Sequence, residues 1–288
     1  MSWVPRTRSS AYSPVLPCLI FEDEHLLVVN KPAGVNTHAP SPYSGEGIYE
    51  WLRQREARWA SLAIMHRLDK ETSGVLVFSK TPLASRSLTA QFTCRSVRKR
   101  YLLLTDRPVQ KKEVVVKSAL ARAGERYVSR PLDAGGPEAE TRFRECRMQN
   151  EECRSSVSCR MLEAEPLTGR THQIRVHAAD SGFPILGDTL YGGTPAARVC
   201  LHAMALTLKH PASGEDMTFR APVGTSDGLK VHDSEAASTP HPGPLPFRRG
   251  EGESPAANGA IASRTWYEAA SAGGAAFGLT DAEMGLSW

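Results

Sequence analysis

The sequence predicts an α+β protein, a mixed and largely antiparallel sheet with flanking helices, and three observations carry that prediction. Apolar runs of strand length recur along most of the chain and are joined by short turns, so strands adjacent in sequence pair antiparallel. Helical spacing occurs in only a few segments between them. No repeat of 20–50 residues is present, which excludes a solenoid or propeller.

Leu19 to Asn30 reads as two short strands around the acidic turn Glu22-Asp23-Glu24, leaving through Lys31-Pro32-Ala33-Gly34. Gly47 to Arg58 has the spacing of a helix through Ile48, Trp51 and Leu52, and Gly74 to Ser79 is a compact apolar strand. Thr81-Pro82 combines a capping hydroxyl with a first-turn proline, opening a helix through Leu83, Leu88 and Phe92. Val97 to Leu104, Val114 to Leu120, Glu140 to Cys146 and Ser155 to Ala164 favour strands. Thr171 to Ser181 reads as a short helix ended by Gly182. Leu201 to Lys209 and Asp216 to Arg220 form a hairpin across Pro211-Ala212-Ser213-Gly214.

Composition bounds the function. With 41% hydrophobic residues in 288, a packed core can form. No apolar run reaches about 18 residues and the N-terminus lacks the apolar stretch of a secretory signal, so neither a membrane partner nor export is expected and the cytoplasm is the default location. None of the six cysteines forms a C-x-x-C pair; they read as reduced, mostly buried thiols, and no metal is expected. From Ser226 onward four basic residues face eight acidic ones, a charge of −4 against +4 for the whole chain, which leaves +8 on residues 1–225. That excess suits a polyanionic partner. Residues 1–18 are polar and proline-punctuated, a flexible arm. Residues 19–223 form the expected folded domain. Residues 224–288, rich in Pro, Gly, Ala and Ser, are expected to be a disordered extension.

Three clusters concentrate chemistry-bearing residues. In His66-Arg67-Leu68-Asp69-Lys70-Glu71-Thr72-Ser73-Gly74, Asp69 is flanked by cations and followed by small hydroxyl residues, a setting that holds a carboxylate ionised. On composition alone, a surface turn with an ordinary salt bridge is the simpler reading. In Gly169-Arg170-Thr171-His172-Gln173-Ile174-Arg175-Val176-His177, Arg170 lies at or just before a helix start. The helix dipole favours anions there, so a cation in that position suggests a specific carboxylate or phosphate partner; the bland alternative is a charge pointing into water. His172 and His177 are five apart rather than the four that a shared metal on one helical face requires. Arg95 to Tyr101 sets four basic residues, among them Arg98, Lys99 and Arg100, before Tyr101, which suits phosphate contact beside an aromatic surface for a base. A solvated basic turn with a core tyrosine fits that pattern equally well.

At these residues the sequence resembles a known family. HRLDKETSGVLVFSKT (66–81) is similar to the signature of the pseudouridine synthases named for ribosomal-large-subunit synthase A (the RluA family), and GRTHQIRVHAADSGFPILGDTLYG (169–192) resembles its second motif. The turn from Val29 to Gly34, the Lys99-Arg100-Tyr101-Leu102 segment and LHAMALTLKHPASGEDMTFRAP (201–222) fall in the family's order. The likeness covers about residues 19–223 and leaves no room for the N-terminal S4-like domain of some members. It implies the pseudouridine synthase catalytic fold and isomerisation of a uridine in structured RNA, ribosomal or transfer. The sequence has no Gly-rich phosphate loop, so no cofactor or nucleotide is expected, and a monomer is the default. Asp69 would be the catalytic carboxylate, Tyr101 would stack near the uracil and take its carbon-five proton, and Arg170 would pair with Asp69. Arg67 would fill the gap left by a flipped base, and Ile174 would wall the pocket. His66, Thr72, Arg98, Lys99 and Arg100 would complete the RNA contacts.

Two other classes compete. A glycoside hydrolase or nucleosidase needs two carboxylates of distinct protonation, and Glu71 is the second candidate, only two residues from Asp69. A non-catalytic RNA-binding protein could keep the fold, although the set Asp69, Tyr101 and Arg170 argues against it.

Overall fold

The computed structural model describes residues 18–40, 47–146 and 159–222. The expectations for the N-terminal arm, for the start of the strand at Ser155 and for the segment 224–288 lie outside the described residues.

Among the described residues, one sheet of eleven strands organises the fold, its main path running β1-β2-β4-β10-β5-β9-β8-β6-β7. In chain order the strands are β1 (Cys18–Glu22), β2 (Leu26–Lys31), β3 (Ala63–Ile64), β4 (Ser73–Ser79), β5 (Arg98–Thr105), β6 (Glu113–Ala123), β7 (Arg126–Arg130), β8 (Glu138–Cys146), β9 (Arg160–Pro166), β10 (Leu201–Lys209) and β11 (Asp216–Arg220). The helices are α1 (Ile48–Arg55), α2 (Pro82–Thr93) and α3 (Gln173–Asp180). Every pairing is antiparallel except β4 with β10, which meet in parallel at Ser73–His202 and Gly74–Ala203. The expected α+β class therefore holds.

The two faces of β4 explain the layering. All seven of its residues are buried, so both faces must be covered. Val75 and Val77 point to one side, where they join Val28, Leu206 and Leu208 beneath Ala84 and Leu88 of α2. Leu76 and Phe78 point to the other, against Ile48 and Leu52 of α1 and against Leu68. Each such side chain contributes about 1.5–3 kcal/mol on full burial. A third cluster packs Leu103, Phe143 and Leu162 under Ile174 and Ala178 of α3. Helix α2 starts as expected: Thr81 accepts from the Ala84 amide and Pro82 opens the first turn, a cap worth about 1 kcal/mol.

Gly74 marks a tight backbone approach. It sits at φ +116°, and a Cβ there would overlap the backbone of Ala203 where β4 and β10 cross. Only glycine lets these strands meet. That crossing brings the loop before β4 beside the middle of the sheet.

Three local expectations change. The hairpin strand β7 escapes sequence reading because its mostly half-exposed pattern gives no apolar alternation. Helix α3 begins at Gln173 rather than Thr171, because His172 takes a left-handed conformation at φ 55°. Of Cys94, Cys146, Cys159 and Cys200, only Cys200 is buried, against the expectation of mostly buried thiols; Cys94, at the end of α2, is exposed. No helix among the described residues is long and apolar enough to cross a membrane.

Candidate active site

Asp69 lies in the loop between β3 and β4, and the loop's shape is imposed from the N-terminal side. The Thr37 hydroxyl donates to the Leu68 carbonyl (2.8 Å) and accepts from the Leu68 amide (3.1 Å). The Leu68 side chain is buried under α1, so the residue before Asp69 is fixed at backbone and side chain together. Lys31, wholly buried, donates through Nζ to the carbonyls of Pro32 (2.6 Å), Val35 (2.7 Å) and Lys70 (3.3 Å). It thereby ties the exit turn of β2 to the residue after Asp69. Burial draws the Lys31 ammonium down to about 7, opposed by the charges of Asp69 and Glu71. The Thr72 amide closes the turn onto the Asp69 carbonyl at 3.1 Å.

The opposite wall is the approach to α3, organised by Gln173. Its Oε1 accepts from the Thr168 hydroxyl (2.6 Å) and the Arg170 amide (3.0 Å), and its Nε2 donates to the Glu140 carbonyl and the Thr141 hydroxyl, both at 2.9 Å. Every donor and acceptor of this buried amide is used, which fixes the 168–173 segment against β8.

Between the two walls lies a cleft of about 980 Å³, near the top of the range for ligand sites. Asp69, Tyr101 and Arg170 all line it, with His66, Arg67, Thr72, Lys99 and Ile174. One loop, one strand and one helix start, far apart in sequence, thus converge on one site.

The partner of Asp69 is Arg175, not Arg170. The Arg175 Nη1 lies 3.9 Å from the Asp69 carboxylate and 3.6 Å from that of Glu71. Its Nε and Nη2 bond both oxygens of the buried Asp188, at 2.7 and 2.8 Å. Arg170 instead turns outward and donates to the Glu138 carbonyl at 3.1 Å. The physical reason is the delayed helix: Arg175 falls in the first turn of α3 and faces inward, whereas Arg170 stays in the loop at the rim. Arg175 is the single arginine of a helix whose first six residues are all buried, and that was the available signal.

Electrostatics favours an elevated Asp69. Burial pushes its carboxyl above the ordinary carboxylate value, while His172, Arg175 and Lys31 pull it back and Glu71 adds to the rise. The cations moderate the effect of burial without cancelling it. The Tyr101 phenol is pushed up by burial and further by the charge of Asp69. His66 is held down to about 3 by burial and by Lys99; its Nε2 accepts from the Val77 amide (3.1 Å) and its ring stacks on Phe92.

The basic run before Tyr101 divides between two faces. Lys99 lines the cleft with Tyr101 and donates to the Thr168 carbonyl at 3.1 Å. Arg98 and Arg100 do not line the cleft; they pair with Glu165 (3.6 Å) and Glu163 (3.5 Å) of β9. Alternation along β5 sends them to the other side of the sheet, which corrects their expected grouping as one RNA-binding cluster. Arg95, in a left-handed conformation at φ 59°, lines the cleft in their place. His177 is fully buried, with its ring nitrogens on Ser118 (3.0 Å) and Thr141 (2.8 Å).

A carboxylate elevated by burial, a guanidinium beside it and an aromatic ring on β5, all lining one basic cleft, belong to a recognised class. The chain belongs to the RNA pseudouridylate synthase family, whose pattern its residues 25–180 match. Among its relatives is the ribosomal large subunit pseudouridine synthase C of Yersinia pestis, 39% identical over 220 residues that cover 72% of this chain and 65% of the relative. The protein of the same name from Escherichia coli (strain K12) is 37% identical over 227 residues, 74% of this chain and 67% of the relative. The chain thus spans about two thirds of the length of these relatives. Among solved structures, human RNA pseudouridylate synthase domain containing 1 aligns with a TM-score of 0.59 at 25% identity, covering 72% of this chain and 83% of that one. Human RNA pseudouridylate synthase domain containing 4, with a TM-score of 0.56 at 23% identity, shares the fold.

Proposed function

We propose that the protein isomerises a uridine of large-subunit ribosomal RNA to pseudouridine, with Asp69 as the catalytic carboxylate. The observation that carries this reading is the convergence of Asp69, Tyr101 and Arg175 on one basic cleft within a chain of this family. The relatives named for the large ribosomal subunit support ribosomal over transfer RNA.

A paired uridine cannot bring its glycosidic carbon to a recessed carboxylate, so the nucleotide must leave its stack, at a cost of a few kcal/mol. Arg67, exposed on the cleft wall, is suited to fill the gap and touch phosphate; Arg170 at the rim and Lys99 and Arg95 within it offer further backbone contacts. The C1′–N1 bond breaks, the uracil turns, and a C1′–C5 bond forms; the hydrogen on C5 leaves as a proton, N1 takes one up, and any bond to Asp69 or proton drawn from the ribose is returned. Asp69 starts this by attacking the sugar or the ring, or by removing a ribose proton, and each route needs it ionised. Arg175, with His172 and Lys31, supports that state against burial. Because burial and Asp69 keep the Tyr101 phenol protonated, Tyr101 can accept the C5 proton only by handing its own hydrogen on, and Asp69 is the nearest base in this reading. Ile174, buried at the cleft wall, excludes water from the uracil. The bonds and protons balance without an oxidant, reductant or nucleotide.

The test is Asp69→Asn with an unmodified large-subunit RNA transcript, read by carbodiimide mapping of pseudouridine beside a filter-binding measurement. The variant should form no pseudouridine while its Kd for RNA stays within about threefold of wild type. Substantial turnover by the variant would refute the assignment. Release of free uracil by the wild type would favour the hydrolase reading instead.

A further inference from the structure

Two residues outside the cleft lining govern the groups that face Asp69. Asp188 and Tyr191 bracket a single short 3₁₀ turn, Thr189–Tyr191. The turn is firmly seated. The Asp188 amide donates to the Ile185 carbonyl (3.0 Å), its carbonyl accepts from Gly193 (2.9 Å), and Gly187 at φ +84° packs where a Cβ would strike the Arg198 carbonyl.

Asp188 occupies two edges of the Arg175 guanidinium through Nε and Nη2. That leaves Nη1 as the group directed at Asp69 and Glu71. A planar fork held at two points has no rotational freedom left, so the direction of the third nitrogen is set. The Tyr191 ring lies under the same guanidinium at 5.1 Å.

The Tyr191 hydroxyl controls a second group. It accepts the Tyr127 amide hydrogen at 3.0 Å and lies 2.8 Å from Nδ1 of His172. The amide can only donate, so the hydroxyl hydrogen is free to go to Nδ1. An imidazole accepting at Nδ1 carries its proton on Nε2. Burial lowers the His172 pKa against the opposing charge of Asp69, which favours the neutral ring, the form that has a tautomer.

We propose that Asp188 and Tyr191 are positioning residues for the reaction: Asp188 aims the free Arg175 nitrogen at Asp69, and Tyr191 fixes His172 in the tautomer that offers Nε2–H to the cleft. One turn thus sets both the guanidinium nitrogen 3.9 Å from the carboxylate and the imidazole that lines the same cleft. The kinetic arm of this inference rests on the isomerase reading above, while the tautomer is a property of the resting protein.

The experiment uses the full chain in two arms. In the first, ¹⁵N-detected imidazole spectra of the wild type should show His172 as the Nε2–H tautomer, and Tyr191→Phe should convert it to a mixture. A wild-type Nδ1–H tautomer, or a tautomer unmoved by Tyr191→Phe, would overturn the role of Tyr191. In the second, kcat and KM are measured on large-subunit RNA for wild type, Asp188→Asn, Tyr191→Phe, Arg175→Lys and the Asp188→Asn/Arg175→Lys double variant. Asp188→Asn and Tyr191→Phe should each lower kcat about 10- to 100-fold, as a small misplacement of a reacting group does. KM should stay within about threefold, with melting above the assay temperature. Asp188→Asn should cost nothing further once Arg175 is lysine, because coupled residues are not additive. Multiplying losses, or a kcat within about twofold of wild type, would overturn the role of Asp188. Wild-type inactivity together with the Nε2–H tautomer would sink the isomerase reading and leave the Tyr191–His172 device standing.

Discussion

Replacing Arg175 by methionine would separate what this residue does for folding from what it does for chemistry. Its side chain is 4% exposed and that of Asp188 1% exposed, with two hydrogen bonds of 2.7 and 2.8 Å between them. Methionine fills similar space but leaves the Asp188 carboxylate buried without a cation. Breaking a buried pair from one side costs about 3–5 kcal/mol, chiefly the desolvation of the stranded charge. Asp69, at 3.9 Å from the guanidinium and a quarter exposed, adds little to that figure. At a urea m-value of about 3 kcal/mol/M the midpoint should fall by about 1–2 M. The double variant Arg175→Met/Asp188→Leu removes both charges and should recover most of the loss, since an apolar pair of matching volume can replace a buried ion pair. It should nevertheless form no pseudouridine. Urea unfolding followed by circular dichroism, beside carbodiimide mapping of the same preparations, tests both halves. A midpoint for Arg175→Met within about 0.3 M of wild type would refute the reasoning, as would an active double variant.

The two motif arginines should part in kinetics: Arg175→Lys lowers kcat at least about 100-fold, whereas Arg170→Lys keeps kcat and raises KM severalfold in a salt-dependent way, both read from initial rates on one RNA. Acid should destabilise the fold through His177 and His202, each held down to about 4 by burial. Because the unfolded imidazoles bind protons near pH 6.5 and the folded ones do not, stability is full above that pH and falls as pH drops toward 4. Each histidine should account for about 2 kcal/mol between pH 7 and pH 5, measured by urea melts, and His177→Gln should flatten that dependence by its share. Gly74→Ala should destabilise by more than about 3 kcal/mol, from the overlap with Ala203 added to a backbone angle that alanine resists; a melting temperature unchanged within 2–3 °C would contradict the close approach of β4 and β10.

The sequence by itself determined the class of fold and most of the strand order along the chain, and the resemblance of its motifs to a family put Asp69 and Tyr101 in one expected site. Those are local properties. A continuous apolar run in β4, a hydroxyl and proline at the start of α2, and the motif that carries Asp69 are all written in consecutive residues. The tertiary structure alone decided who faces whom. Arg170 and Arg175 are equally cationic in the chain; the left-handed turn at His172 sends one outward and the other into the core. Arg98, Lys99 and Arg100 form a single run on paper, and the two-residue period of β5 assigns them to opposite faces. Lys31, Asp188 and Tyr191 leave no local signature, because a buried charge declares itself only through partners that lie far away in sequence: Lys70 for Lys31, Arg175 for Asp188, Tyr127 and His172 for Tyr191. Periodicity reports how a segment meets its immediate surroundings, whereas the direction of a guanidinium and the tautomer of an imidazole are fixed by contacts that exist only once the sheet has closed.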